Sequence, residues 1–270
     1  MTVPQTWHHG LIADWWAEFN TDGPEIGYYR RFIEDGQPAL DAGCGTGRLL
    51  LPWLHAGLDV DGCDVSADMI EHCRARARAD GLQPTLWAAP LHELDPPRRY
   101  RTIVLCGVFG IGTTREQDQD GLRRCHDALE PRGTLLLDNE VPYRFASRWR
   151  RWTKDERDLL PAPWPDSGTV KVAADGSEFE LWSRTTAVDP LDQTVWMEMR
   201  AEKRRERQVV ASEEARPISL RSYFRDEIVL MLEKAGFPDV VVRAGYTDAE
   251  PSPDDDFLVF VARRGGQAAE

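Results

Sequence analysis

The stretch Ala39-Leu40-Asp41-Ala42-Gly43-Cys44-Gly45-Thr46-Gly47-Arg48 constrains the fold more than any other part of this chain. It reads as a short strand that runs into a glycine-rich turn and then into a helix from Arg48 to His55. Glycines at 43, 45 and 47 let the backbone take positive φ and let a ligand lie directly against it. The spacing is G-x-G-x-G. A dinucleotide loop of the G-x-G-x-x-G kind would carry a small residue at position 48, where this chain has Arg48. Next, Leu58 to Asp64 reads as a second strand ending on an acid. Asp64 follows Asp41 at close to the ~20-residue offset at which an acidic side chain meets a ribose in doubly wound sheets. Its two oxygens can accept from both ribose hydroxyls at once. Ser66 fits the N-cap of a helix through Arg78, with Met69 one turn in, where a thioether can pack on a flat ring.

These residues resemble the nucleoside-binding half of the class I S-adenosylmethionine-dependent methyltransferases. More of the chain follows the same pattern. Thr102 to Gly110 resembles that family's fourth strand and the loop after it, Gln117 to Leu129 the following helix, and Leu129 to Asp138 the turn into strand five. Tyr223 through Gly236-Phe237 resembles its last helix, with strands Val240–Arg243 and Phe257–Ala262 behind it. The resemblance covers residues 28–142 and 219–264. It implies an α/β fold: a doubly wound, seven-stranded, mostly parallel Rossmann-like sheet with an antiparallel β insertion after strand five.

The implied cofactor is S-adenosylmethionine. Asp64 and Val65 would meet its ribose, with Met69 against the adenine. Asp41, Ala42, Gly43, Cys44, Gly45 and Arg48 would surround its methionine part. Cys106 and Gly107 would lie beneath the sulfonium, and Tyr28 or Tyr29 stands where relatives lay an aromatic ring over the methionine. Ala88 and Ala89 occupy the place of an acidic residue that often binds the adenine amino group, which leaves that contact to backbone atoms. Arg101 and Arg132 also depart from the family pattern, standing for a usual Asp and a usual Gly.

Composition agrees with an ordinary soluble enzyme. A chain of 270 residues, 41% of them hydrophobic, can bury a full core, and residues 1–270 are expected to form a single methyltransferase domain. No apolar run approaches the ~20 residues of a membrane span, and no N-terminal signal is present, so the expected location is cytoplasmic. Five scattered cysteines without a C-x-x-C pair read as reduced thiols, and the six histidines fit no metal spacing. The net charge of −13 argues against a nucleic-acid backbone as partner. Two basic runs, Arg144 to Arg157 and Lys203 to Arg207, read as solvated faces or as contacts to an anionic substrate or a subunit.

Between the two matched blocks, residues 143–218 form the expected insertion, and the chain from Val141 to Ser219 carries half of the ten tryptophans. Two segments there alternate at strand period. Phe179, Leu181, Ser183, Thr185 and Ala187 share one face of the first, and Val195, Met197, Met199 and Ala201 one face of the second. Asp189-Pro190-Leu191-Asp192 is a turn sequence between them, and a further strand fits near 168–174. The insertion resembles the antiparallel subsheet of methyltransferases that act on sugars and other natural products. Two uses stay open, a cap over the substrate or a homodimer contact through an exposed edge. The tryptophans fit either an aromatic substrate cap or the core of the added layer. Toward the N-terminus, Trp7, Leu11, Trp15, Trp16 and Phe19 fit one side of a helix, and Glu25 to Asp35 fit a second.

What the resemblance implies is transfer of a methyl group to a nitrogen or oxygen of a small organic molecule. A sulfonium methyl is already electrophilic, so the protein must chiefly align the acceptor and exclude water. The acceptor would enter over Phe109, Gly110, Asn139, Glu140 and Tyr143, at the carboxyl ends of strands four and five. A base is needed only where the acceptor must lose a proton, and His92, Glu140, Tyr143 and Tyr223 are the candidates. Two other readings fit the same scaffold: a non-catalytic nucleoside-binding regulator or scaffold, and an NAD(P)-dependent oxidoreductase.

Overall fold

The computed structural model describes Thr6, residues 8–214 and residues 217–266. Trp7 lies outside the described residues. Helices α1 (Gly10–Phe19) and α2 (Glu25–Asp35) lead into β1 (Ala39–Ala42), α3 (Leu50–His55), β2 (Val60–Asp64), α4 (Ala67–Ala79), β3 (Leu86–Ala88), β4 (Tyr100–Leu105), α5 (Arg115–Ala128) and β5 (Leu129–Glu140). Two short helices, α6 (Ala146–Arg150) and α7 (Lys154–Arg157), precede strands β6 (Thr169–Val172), β7 (Glu178–Asp189), β8 (Thr194–Arg205), β9 (Gln208–Glu214) and β10 (Ile218–Arg221). Helix α8 (Arg225–Ala235) and strands β11 (Asp239–Ala244) and β12 (Phe257–Arg263) complete the fold.

The main sheet has the order β11-β12-β5-β4-β1-β2-β3. Six strands run in one direction, and β12 enters antiparallel between β5 and β11. Alternating residues of its central strands feed two cores, as strands covered on both faces require. Leu40, Ile103, Leu105, Leu135, Leu137 and Phe260 face α5 and α8. Ala39, Val104, Leu136, Val259 and Val261 face the side that holds Tyr29, Ile33, Trp53 and Ile70. The direction of strand order reverses between β1 and β4, so the loops leaving their carboxyl ends diverge and open a crevice.

Local signals explain most boundaries. Ser66 caps α4, its hydroxyl accepting from Met69 N at 3.2 Å. Thr114 and Gln117 form a reciprocal capping box that starts α5 two residues before the expected Gln117. Helix α3 begins at Leu50 rather than Arg48, because residues 45–49 are spent in the turn. Arg132, in place of a usual glycine, takes φ 66° inside β5, where the pairing with β4 shifts register.

The insertion is a second, five-stranded antiparallel sheet, with order β10-β8-β7-β6 and β9 also on β8. Asp189 makes the expected turn, its carboxylate accepting from Leu191 N and Asp192 N. Strands β9 and β10 have no counterpart in the sequence expectation. The Lys203 to Arg207 run is the hairpin between β8 and β9, with Glu206 and Arg207 at φ 52° and 66°. A bulge after Thr185 breaks the alternation in β7, so Ala187 does not continue the Phe179 face. Phe179, Met199 and Ala201 pack on Leu11 and Ile12, which sets α1 between the inserted sheet and α4.

Strand β10 ties the insertion to the crevice. Gly112 N donates to Ser219 O at 2.7 Å, and Arg221 N donates to Gly110 O at 2.8 Å. Gly110 has φ 79°, and a Cβ there would stand 2.8 Å from Arg221 O. Gly110→Ala therefore combines left-handed strain with a backbone clash. It is expected to cost about 1–3 kcal/mol in urea denaturation. A loss near zero would mean that this loop and β10 separate without penalty.

Candidate functional site

The loops at the reversal point meet closely. Gly43 N and Cys44 N both donate to Cys63 O, at 2.7 and 2.9 Å, which pins the start of the β1 loop to β2. Gly43 has φ 97°, and a Cβ there would lie 2.2 Å from Val108 Cγ1 on the β4 loop. Only a glycine permits this approach. Asp64, at the end of β2, accepts from Gly45 N through Oδ2 at 2.9 Å and from Ser66 N through Oδ1 at 2.8 Å. Each oxygen keeps acceptor capacity for a further donor, as recognition of a diol requires. Burial raises the Asp64 pKa, and these two N–H groups oppose the rise.

A cavity of about 200 Å³ occupies the crevice. Its walls include Ala42, Gly43, Cys44, Gly45, Arg48, Asp64, Val65, Met69, Ala89, Cys106 and Gly107, so eleven of the expected cofactor residues converge there. Ala89 N donates to Asp64 O at 2.9 Å, which holds the β3 end against the same carboxylate residue. Asp41, Ala88 and Tyr28 are not part of the wall. Tyr28 packs among the rings of Tyr29, Phe32 and Tyr246, with centroids 5.5–6.0 Å away. Asp41 is buried behind the loop, and its Oδ2 has no partner among the described residues. Burial, and then the charge of Asp64, push its carboxyl up to about 8, while the Leu50 N–H pulls the other way.

Arg48 reaches into the cavity from the glycine loop, pairs with the buried Glu25 of α2, and comes within 3.7 Å of Cys106 Sγ. Beneath Cys106 and Gly107 lies Asp138 on β5, accepting from Gly107 N at 2.6 Å, Tyr246 Oη at 2.7 Å and Cys106 Sγ at 3.1 Å. Asp41, Asp64 and Asp138 thus surround the floor with carboxylates held by neutral donors.

The wall beyond the cofactor residues comes from His92, Val108, Phe109, Ile111, Gly112, Thr113 and Asp118, with Thr6, His8, Trp16 and Asn20 from the N-terminal segment. His92 is the one candidate base in the wall. Gln117 Oε1 is committed to Thr114 N at 2.9 Å, so its amide nitrogen donates to His92 Nε2 at 3.1 Å and leaves the neutral ring's proton on Nδ1. Glu140 and Tyr143 stand outside the wall. Glu140 accepts from Arg144 at 2.9 Å and Arg148 at 3.2 Å, and Tyr143 is 43% exposed. Tyr223 is fully buried and donates to Asp118 at 2.6 Å.

Sequence reading missed Glu25, Asp118, Asp138, Trp16 and Asn20. Asp138 was detectable as the first polar residue after Leu135-Leu136-Leu137, at the carboxyl end of a buried strand. The others come together only through packing of distant elements.

This sheet order, with its antiparallel strand between β5 and β11 and a ribose-type acid at the end of β2, defines the class I methyltransferase fold. Residues 39–133 match a family described as "Methyltransferase domain". YqeM of Bacillus subtilis (strain 168), provisionally described as a methyltransferase, is 24% identical over 247 residues, 87% of this chain and 89% of its own length. Among solved structures, the CcbJ methyltransferase of Streptomyces caelestis superposes with TM-score 0.73 at 21% identity, covering 98% of this chain and 100% of that one. The sugar N-methyltransferase KedS8 of Streptoalloteichus superposes with TM-score 0.66 at 18% identity, covering 98% and 99%. Residues 39–133 thus form a methyltransferase domain, and the chain as a whole has the fold of the S-adenosylmethionine-dependent methyltransferases.

Asp41 carries a testable consequence. Binding a cation favours the ionised carboxylate, so below its pKa the ligand must first expel a proton. Affinity for S-adenosylmethionine is expected to rise with pH, levelling off above about 8. Calorimetry across pH 6–9 on the wild type and Asp41→Asn checks this, and the variant should show a flatter profile.

Proposed function

We propose that this methyltransferase acts on a small organic molecule, transferring the methyl group to a nitrogen or oxygen atom. The observation that carries the reading is the cavity at the β1/β4 reversal, whose one end is the glycine loop and Asp64 and whose other end sets Trp16, Val108, Phe109 and Ile111 beside the polar His92, Thr113, Asp118 and Asn20. Solved structures of similar fold include enzymes described as acting on sugars, among them KedS8 and the amino pentose methyltransferase CalS10 of Micromonospora echinaspora. The residues present fit the cofactor. Gly43 lets the β1 loop close on Val108, another residue of the cavity wall, Asp64 has free acceptor capacity on both oxygens, and Asp41, next to the wall residue Ala42, holds an unpartnered oxygen.

S-adenosylmethionine, when bound, supplies an electrophilic sulfonium methyl. Asp64 would hold the ribose hydroxyls, and Met69 with Val65 and Ala89 would flank the nucleoside. Arg48 would face the methionine carboxylate, and the backbone of residues 42–45 would contact the rest of the amino-acid part. Cys106 and Gly107 would support the reacting end, with Phe109 and Ile111 excluding water from the acceptor. Such positioning can supply several kcal/mol of the barrier reduction without a dedicated acid or base. An amine acceptor needs no base if it arrives deprotonated. For a hydroxyl acceptor His92 is the candidate, because it lines the cavity, and it must leave Gln117 to use Nε2. Glu140 and Tyr143 stand outside the wall and would have to turn toward it to serve that role.

The inserted sheet and α1 would close the acceptor end. The exposed edges of β6 and β9, where Val170, Val172, Val209 and Val210 are all more than half exposed, suit pairing with a second copy of the chain. Net charge supports a partner other than nucleic acid, and five free buried cysteines favour a cytoplasmic location. Among the described residues no helix is long and apolar enough to cross a membrane, and no cluster suits a metal ion.

Titration with S-adenosylhomocysteine, run beside NADH and repeated on Asp64→Ala, tests the cofactor assignment. Micromolar binding of the thioether is expected, with no NADH binding and a loss of about tenfold or more in the variant. A preference for NADH would overturn the methyltransferase assignment.

A further inference from the structure

Asp138, two residues before the end of β5, lies directly behind Cys106 and Gly107, the wall assigned above to the reacting end of the cofactor. Its Oδ1 accepts from a backbone N–H and its Oδ2 from a phenol and a thiol. Every contact is a donor to it, so both oxygens act as acceptors, as in an ionised carboxylate. The nearby guanidinium of Arg48 gives its charge to Glu25 instead. The residue is 5% exposed, so water screens it poorly.

Its field is felt by its neighbours. The phenols of Tyr29 and Tyr246 and the thiol of Cys106 are all made harder to ionise, first by burial and next by the negative charge of Asp138. Tyr29 is fully buried and its hydroxyl has no partner among the described residues, so it neutralises none of that charge.

We infer that Asp138 reads the charge of the cofactor, holding the cationic sulfonium form through the Cys106–Gly107 wall and letting the neutral thioether product go. The inference rests on the methyltransferase reading above and assigns Asp138 as a positioning residue that does not touch the ligand. In the transfer the S–CH3 bond breaks with its electron pair staying on sulfur, and the acceptor's lone pair forms the new bond to the methyl carbon. The acceptor's surplus proton leaves to solvent. The sulfur therefore loses its positive charge in the same step that forms product, and the attraction to Asp138 disappears with it. A carboxylate with only neutral donors suits this task. A paired arginine would cancel the field, and an asparagine would treat both charge states alike.

Two ligands of nearly equal shape separate charge from packing. Sinefungin carries an amine, positive at neutral pH, near the place of the sulfonium, and S-adenosylhomocysteine carries a neutral sulfur. Calorimetric titration of the wild type is expected to show sinefungin binding about tenfold tighter. Asp138→Asn, which keeps size and shape, should cut that ratio about fivefold or more while changing S-adenosylhomocysteine affinity less than about twofold. Tyr246→Phe removes one donor but keeps the charge, and should retain the preference. Equal affinity of the two ligands for the wild type overturns the inference without any variant. So does a preference that survives Asp138→Asn, or one that Tyr246→Phe abolishes equally, since the effect would then be packing. Failure of the wild type to bind either ligand would instead remove the cofactor assignment itself.

Discussion

The grip of Gly45 N and Ser66 N on the carboxylate of Asp64 is the contact on which the rest of this site depends. It joins the turn after β1, the end of β2 and the start of α4 at one side chain. The Ser66 hydroxyl then caps the helix and donates to His8 O, extending the same junction to the N-terminal segment over the cavity. Because each donor orients one oxygen, the remaining acceptor positions are fixed before any ligand arrives. Such preorganisation spares the ligand the cost of ordering the site.

The two sheets divide the labour. The parallel sheet is rigid because its central strands are buried on both faces, so the loops at its reversal point can be held to short distances. The inserted sheet has one face on α1; on the other, Arg184 and Arg200 stack on Trp164 and Arg200 also on the buried Trp182. Four of the insertion's tryptophans thus have defined settings. Trp164 and Trp182 belong to this stack with the arginines, and Trp149 packs against Trp152. None of them lines the cavity, whose tryptophan is Trp16 of α1. The insertion shapes the site indirectly, through α1 and through the β10 contacts to Gly110 and Gly112.

Electrostatics give the cavity its character. Three aspartates sit at or behind its floor, and the one arginine in its wall is offset by Glu25. Burying carboxylates without paired cations costs stability, as the upward shift of Asp41 records. Proteins retain such costs at functional sites, and here the sign suits a ligand that carries net positive charge at its reacting end.

The amino-acid sequence by itself determined the glycine loop, Asp64 and the capped helix after it. These rest on interactions within about twenty-five residues, where periodicity, turn chemistry and capping act locally. The sheet pairs strands far apart in the chain, β1 with β4 and β5 with β12, and was legible only through the resemblance of the motifs to the class I methyltransferases. The sequence also located the insertion and its main hairpin, since strand alternation and an Asp-Pro turn are local signals. It did not reveal β9, which is exposed along nearly all its length and carries no apolar period, or β10, whose four residues are too short a run for their alternation to stand out. Only the tertiary structure decided which ionisable groups share the cavity. It turned Glu140 outward to Arg144 and Arg148, buried Tyr28 among other rings, fixed His92 through Gln117, and set Glu25 and Asp138 behind the wall residues Arg48, Cys106 and Gly107. Those placements depend on contacts between residues far apart in the chain, set by how strands and helices pack, and no local pattern encodes them.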